Sequence, residues 1–181
     1  MLAEARRPRA MLVGQAPGPV EASNRLTFQG RAGRKLFGWM ARAGLSEAAA
    51  RQVFYIAAIT RCYPGPHPGG RGDRVPTPGE RGRCAPWLEA ELALIRPPLI
   101  VTLGRLAADR FLASEPLANL VGTVREASVA GRVTRVLPLP HPSGASSWLN
   151  LPAHQALLDQ ALALLAAEVA RVGGSRAAHA A

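Results

Sequence analysis

The sequence predicts an α/β fold, a mostly parallel sheet covered by helices on both faces in three αβα layers. Three observations predict it. Short apolar runs (AMLVGQ at 10–15, VFYIAAIT at 53–60 and LIVTLG at 99–104) lack the polar alternation of a half-exposed strand, so each reads as buried on both faces. Segments with helical spacing separate these runs, as crossovers between parallel strands require. Three Gly- and Pro-rich segments leave strand ends: GQAPG after the first, TRCYPGPHPGG after the second and PHPSG after the last. Ligands of such folds bind beyond the carboxyl ends of the strands, so these segments are the place to look for a site.

Taken in order, the first strand covers 10–15. GRAGRKLFGWMARAGL follows, with Leu36, Phe37, Met40 and Ala41 at helical spacing and an end near Gly44. The second strand is 53–60, rich in β-branched and aromatic residues. Residues 61–79 are dense in Pro, Gly and Arg and too long for a plain connector. A helix starts after Thr77, with Pro78 at its first position and Glu80 in its first turn, and stops at Pro97-Pro98. The third strand, 99–104, leads into the helical RLAADRFLA. VGTVREASV and GRVTRVLPLP form a hairpin or two adjacent strands around Ala130-Gly131. The last helix spans about 152–171. One domain, 1–172, is expected, with 173–181 as a disordered tail.

Composition narrows the function. With 181 residues and 48% hydrophobic residues, the chain has enough apolar material for one core. No apolar run approaches the roughly 20 residues of a membrane span, and no secretory leader is evident. Only Cys62 and Cys84 are present, so a disulfide framework is not expected and a cytoplasmic setting is. The formal charge is +10, and Lys35 is the single lysine among 22 basic residues. A positive excess favours a polyanion, whose phosphates a protein binds with release of counterions.

Several residues carry candidate chemistry. Gln15 offers an amide donor and acceptor between glycines that let backbone approach a ligand. Phe28, just before a glycine-bounded helix start, has two readings: a ring stacked on a planar ligand, or a core ring under the loop. His141 sits between Pro140 and Pro142, which stiffen its backbone as an oriented donor requires. Ser143 is placed to donate to a phosphate. Arg61, Arg71, Arg74, Arg81 and Arg83 cluster around one loop, a composition suited to phosphate. Trp148 and Leu149 are either a wedge for a base stack or the start of the packed last helix. Cys62 and Cys84 read as structural or inert thiols, with no metal site implied.

Together these motifs resemble the uracil-DNA glycosylase superfamily. GQAPG with Glu21 and TFQGRAGRKL, then YIAAITRCYPG, then VPTPGERGRCAPWLEAELALIRPPLIVTLGRLA, then HPSG, fall in that family's order over about 10–171. TFQGRAGRKL is similar to the PFVGxAGxLL of the bacterial iron–sulfur branch (family 4). The resemblance implies a four-stranded, mostly parallel sheet and a nucleotide flipped into a pocket. It implies hydrolysis of the bond between a damaged base and deoxyribose, the first step of base-excision repair, without a cofactor. Gln15 with the backbone around Gly14 would line the base pocket, with Ala16 and Ala58 at its wall. Phe28 would stack on uracil. His141 would bond the carbonyl oxygen where charge develops, and Ser143 a flanking phosphate. Glu21 would orient water or the cationic sugar. Arg61, Arg71, Arg74, Trp148 and Leu149 would contact DNA.

The chain departs from that pattern in places. Ala16 stands where the best-known branch has the water-activating Asp of GQDPY. Ala58 stands where many members have a uracil-reading Asn, as it does in the AAVRC branch (family 5). Arg31 takes the place of an acidic residue in FTGD. The N-terminal CxxC of the iron–sulfur branch is absent, so no cluster is expected. Three functions compete: a glycosylase for uracil and other deaminated bases such as hypoxanthine, a decayed scaffold binding damaged or single-stranded DNA, and a nucleotide-binding α/β protein. The expected partner is DNA, the expected state a monomer, and no membrane contact is expected.

Overall fold

The parallel strands of this protein are mostly apolar on both faces, and helices cover both. The computed structural model describes residues 8, 10–24, 27–70, 72–144 and 147–174. In chain order the elements are β1 (Ala10–Gly14), α1 (Pro19–Asn24), α2 (Arg31–Arg42), α3 (Glu47–Val53), β2 (Phe54–Ala58) and α4 (Pro78–Ile95). Then follow β3 (Leu99–Leu103), α5 (Arg105–Ala108), α6 (Leu117–Leu120), β4 (Arg125–Val129), β5 (Arg132–Leu139), a 3₁₀ turn (Trp148–Asn150) and α7 (Pro152–Gly174).

Strand residues alternate between two cores. Ala10 and Leu12 of β1, Leu99, Val101 and Leu103 of β3, and Leu137 and Leu139 of β5 face α2, α3 and α7. Helix α7 meets them with Leu158, Ala161, Leu162 and Leu165, the spacing of one helical face. Met11, Val13 and Ile100 point the other way, toward Leu88 and Leu92 of α4 and Ala107 of α5. The three-layer expectation therefore holds. Among the described residues no helix is long and apolar enough to cross a membrane.

The sheet order is β2-β1-β3-β5-β4. The first four strands are parallel, with Gly14 opposite Ala58 and Thr102 opposite Pro138. The sheet has five strands rather than the expected four, because 125–129 folds back on β5 as an antiparallel edge. The hairpin reading of Ala130-Gly131 is the reason: both residues take positive φ, 47° and 75°, as a tight two-residue connection demands. Exposed Arg125, Glu126 and Arg132 keep this edge polar.

Other boundaries also differ. Helices α1, α3 and α6 are four to seven residues long and too short to show a period. Strand β2 starts at Phe54 because Val53 closes α3. Only the first four residues of RLAADRFLA are helical. Helix α4 begins as the sequence predicts: Thr77 accepts from the Glu80 amide, and the Glu80 carboxylate accepts from the Thr77 amide at 2.8 Å. Helix α7 runs to Gly174, three residues past Arg171, and residues 175–181 of the expected tail lie outside the described residues.

Ala130 is an exposed non-glycine residue in left-handed conformation, which is unfavourable for an L residue. Ala130→Gly should raise stability by about 0.5–1 kcal/mol in urea unfolding, and an unchanged or lower midpoint would contradict the strain.

Candidate active site at the carboxyl ends of the parallel strands

The segments leaving β1, β2 and β5 converge on one open cavity of about 1350 Å³. Gly14, Gln15, Ala16, Glu21, Phe28, Ala58, Arg61, His141 and Ser143 all line it, as do Arg31, Tyr63 and Asp73. The structure thus brings together most of the residues singled out in sequence. Arg74, Trp148 and Leu149 are outside the lining, and Arg71 lies outside the described residues.

Phe28 occupies an unusual conformation. Its φ is 59°, rare for a bulky residue. Three contacts hold it there. Glu21 Oε1 accepts from the amides of Gln29 at 2.9 Å and Gly30 at 3.1 Å. Arg51 donates to the Thr27 carbonyl at 3.1 Å. Gly33 leaves room for the turn, since a Cβ there would sit 1.8 Å from the Phe28 carbonyl oxygen. The Phe28 ring then lies over Gly14, 3.7 Å from where a Cβ on that glycine would be. Its two readings merge: it packs against the core and walls the cavity. Strain of this kind persists only where surroundings enforce it.

His141 is half-buried in the wall of the cavity. Its Nδ1 accepts from the Ser143 amide at 3.2 Å. A nitrogen that accepts from an amide carries no proton, so the neutral ring carries its proton on Nε2. Burial lowers the imidazole below its usual value, and the negative charge of Asp73 offsets part of that. At neutral pH the ring is an uncharged donor. Gly104, just past β3, makes room for it: its φ is 82°, and a Cβ there would lie 3.0 Å from the His141 Cβ.

The loop 61–79 is more ordered than its composition suggests. Pro66 and Asp73 form an antiparallel bridge, flanked by Arg74 N–H to Gly65 O at 3.0 Å and His67 N–H to Gly72 O at 2.9 Å. This hairpin presents Asp73 to the cavity, where the Tyr63 hydroxyl donates to its Oδ1 at 3.1 Å. Next to it, Gln15 Nε2 makes a long contact to the Arg74 carbonyl at 3.4 Å. The Arg74 guanidinium grips both oxygens of Glu80 at 2.8 and 2.5 Å, so a phosphate must share it with that carboxylate. That pairing and the Thr77 bonds hold the Glu80 carboxyl well below its usual range.

Arg61 pairs with Glu91 and lies 5.5 Å over the ring of exposed Trp87. Trp148 and Leu149 are half-buried against the principal core. Trp148 stacks on His154 at 4.0 Å, and His154 Nδ1 donates to the Trp148 carbonyl at 2.8 Å. Their packing is that of the lead-in to α7.

The profile of the uracil DNA glycosylase superfamily matches residues 3–166. The chain belongs to that superfamily. It is 33% identical over 138 residues to a type-4 uracil-DNA glycosylase of Archaeoglobus fulgidus, covering 74% of this chain and 64% of that protein. A type-4 uracil-DNA glycosylase of Thermotoga maritima is 30% identical over 138 residues, covering 75% and 65%. A type-5 uracil-DNA glycosylase of Mycobacterium bovis is 33% identical over 157 residues, covering 76% and 55%. The chain therefore spans between about half and two thirds of the length of these relatives.

For a member of this superfamily, two thiols are too few for a four-thiolate iron–sulfur cluster. Cys62 is exposed at the cavity, Cys84 is half-buried on α4, and among the described residues no group of three or more metal-ligating side chains forms. The residues present do not fit such a cluster.

Sequence reasoning missed Asp73, Tyr63, Gly33 and Gly104. Asp73 had a legible signal, being the single acidic residue of the basic stretch 61–79. The two glycines had none, because what each avoids comes close only in the folded chain.

Two expectations follow from this geometry. Glu21→Gln keeps an oxygen for the Gln29 and Gly30 amides, whereas Glu21→Ala leaves both unpaired. Urea unfolding should show the alanine variant about 2 kcal/mol less stable and the glutamine variant near wild type; equal effects would remove the clamp. For His141, the folded value lies below the unfolded one, so the unfolded chain binds the proton more readily. Its contribution to stability is complete above the usual value near 6.5 and is lost as pH falls through the lowered folded value. Unfolding from pH 8 to pH 5 should show wild type losing stability relative to His141→Asn, and a constant difference would contradict the buried neutral ring.

Proposed function

We propose that this protein is a DNA glycosylase that takes a flipped uracil into the cavity and hydrolyses its bond to deoxyribose. The observation that carries the reading is the neutral His141. Its Nδ1 is occupied by the Ser143 amide, leaving Nε2–H as the donor for a ligand in the cavity. When the C1′–N1 bond breaks, the electron pair leaves with uracil and negative charge builds on its carbonyl oxygen. A preorganised, partly desolvated N–H donor stabilises that anion more than it stabilises the bound base, which is the requirement for lowering the barrier. Phe28 supplies a stacking face opposite the Gln15 turn, whose amide offers further donors and acceptors. Water adds to C1′, and the products are free base and an abasic site.

Family and charge support DNA as the partner: the chain belongs to the glycosylase superfamily and carries a formal charge of +10. Arg31 and Arg61 at the cavity are the phosphate contacts of this reading, with Arg74 and Ser143 beside them and the Trp148–Leu149 turn bordering the duplex. The enzyme acts as a cytoplasmic monomer. Because Ala58 brings no amide to the wall, the pocket admits other deaminated bases such as hypoxanthine.

The same two alanines favour a second reading. Ala16 and Ala58 leave the cavity without polar side chains at two positions, which suits a scaffold that binds damaged or single-stranded DNA without cutting it. Alkali-revealed cleavage of labelled oligonucleotides with one uracil or hypoxanthine separates the two. Wild type should release uracil, and His141→Ala should be at least ~100-fold slower with DNA binding retained. Binding without release from any substrate would favour the scaffold.

A further inference from the structure

Three carboxylates line the cavity; Glu91 is engaged by the Tyr55 hydroxyl and Arg61, and the structure divides the work of the other two. Glu21 commits Oε1 to the amides of Gln29 and Gly30, so this oxygen is a structural acceptor for the Phe28 turn. Asp73 carries no such load. Its Oδ1 accepts one hydroxyl, that of Tyr63, at 3.1 Å. Its Oδ2 and Glu21 Oε2 both come within 4 Å of one point, the place of a Cβ on Gly18. That point belongs to the turn that presents Gln15. Asp73 is also close enough to His141 for its charge to act on the imidazole. The hairpin around the Pro66–Asp73 bridge fixes the backbone that carries it.

We propose that Asp73 is the carboxylate that receives the proton of the attacking water, in a cavity where Ala16 supplies none. The inference rests on the glycosylase reading and assigns a further catalytic residue to it. The balance is complete. The water oxygen bonds to C1′ as the C1′–N1 bond breaks, and uracil leaves with the electron pair against His141 Nε2–H. One water proton passes to Asp73, which returns it to solvent or to the departing base. Before transfer, the negative charge of Asp73 faces the positive charge developing on the sugar, with Glu21 beside it. The Tyr63 hydroxyl holds Oδ1 and leaves Oδ2 for the water; partial desolvation and then the bond to Asp73 keep that phenol protonated by raising it above its usual value.

Asp73→Asn is the decisive variant, since it keeps the shape and an oxygen for Tyr63 but removes the charge. Base release should be measured with enzyme in excess over a uracil-containing oligonucleotide. Affinity should be measured in parallel on a duplex bearing 2′-fluoro-deoxyuridine, which resists cleavage. The expected result is a release rate at least ~100-fold lower, with affinity unchanged or tighter and the melting temperature preserved. Tyr63→Phe should give a smaller loss of the same kind. A release rate for Asp73→Asn within about threefold of wild type would overturn the role of Asp73 alone, and so would a loss explained wholly by weaker binding. Failure of wild type itself to release any base would overturn the glycosylase reading, and the role of Asp73 with it.

Discussion

Four parallel strands that end at the same edge are the constraint on which this site depends. The order β2-β1-β3-β5 aligns their carboxyl ends, and both faces of the sheet are consumed by apolar packing against helices. Such a sheet leaves little room for polar chemistry, and most of the cavity's polar groups lie on the segments that leave it. Gln15, Ala58 and Gly104 each lie at the end of a parallel strand or one residue past it, and His141 lies two residues past one. The β1–β2 ladder even continues beyond the strands, with the amides of Ile59 and Thr60 donating to the carbonyls of Gly14 and Gln15 at 3.0 and 3.1 Å. The sheet therefore fixes the turn that lines the cavity.

On that base, the site stores strain and screens charge. Phe28 is held in a left-handed conformation by a carboxylate, an arginine and a glycine drawn from three separate segments. Each contact is modest, yet their convergence leaves the ring one position over Gly14. Electrostatics run the other way from the surface. The molecule is strongly basic, but its cavity holds Glu21 and Asp73 beside a neutral histidine. A basic exterior attracts a polyanion, and carboxylates set among the arginines of the cavity suit a sugar that becomes cationic.

Much of this was legible in the sequence, for identifiable reasons. Uniformly apolar strands announce a doubly covered sheet, and Thr77-Pro78 with Glu80 announces a helix start, because both signals are local. The three strand-end segments pointed to the edge that carries the cavity, and Gln15, Phe28, His141 and Ser143 all line it. What escaped depends on how the chain folds around each residue. Gly33 is needed because of a carbonyl five residues earlier in a turn whose shape Glu21 sets. Arg74 reads as an unshared phosphate ligand until Glu80 is seen across it. Trp148 offers a wedge and a packing role in equal measure until His154 is found stacked on it. The extra edge strand depends on how the Ala130-Gly131 turn closes. Asp73 sits in a stretch whose arginines and prolines draw the eye first.

The central claim is that a flipped uracil occupies the space between Phe28 and the Gln15 turn, with His141 Nε2 against a carbonyl oxygen of the base. A crystal structure with DNA carrying 2′-fluoro-deoxyuridine tests it most directly. The account predicts the base stacked on the Phe28 ring, within hydrogen-bond distance of Nε2, and the abandoned stack facing the basic rim. A uracil left within the duplex, or bound away from this cavity, would contradict it.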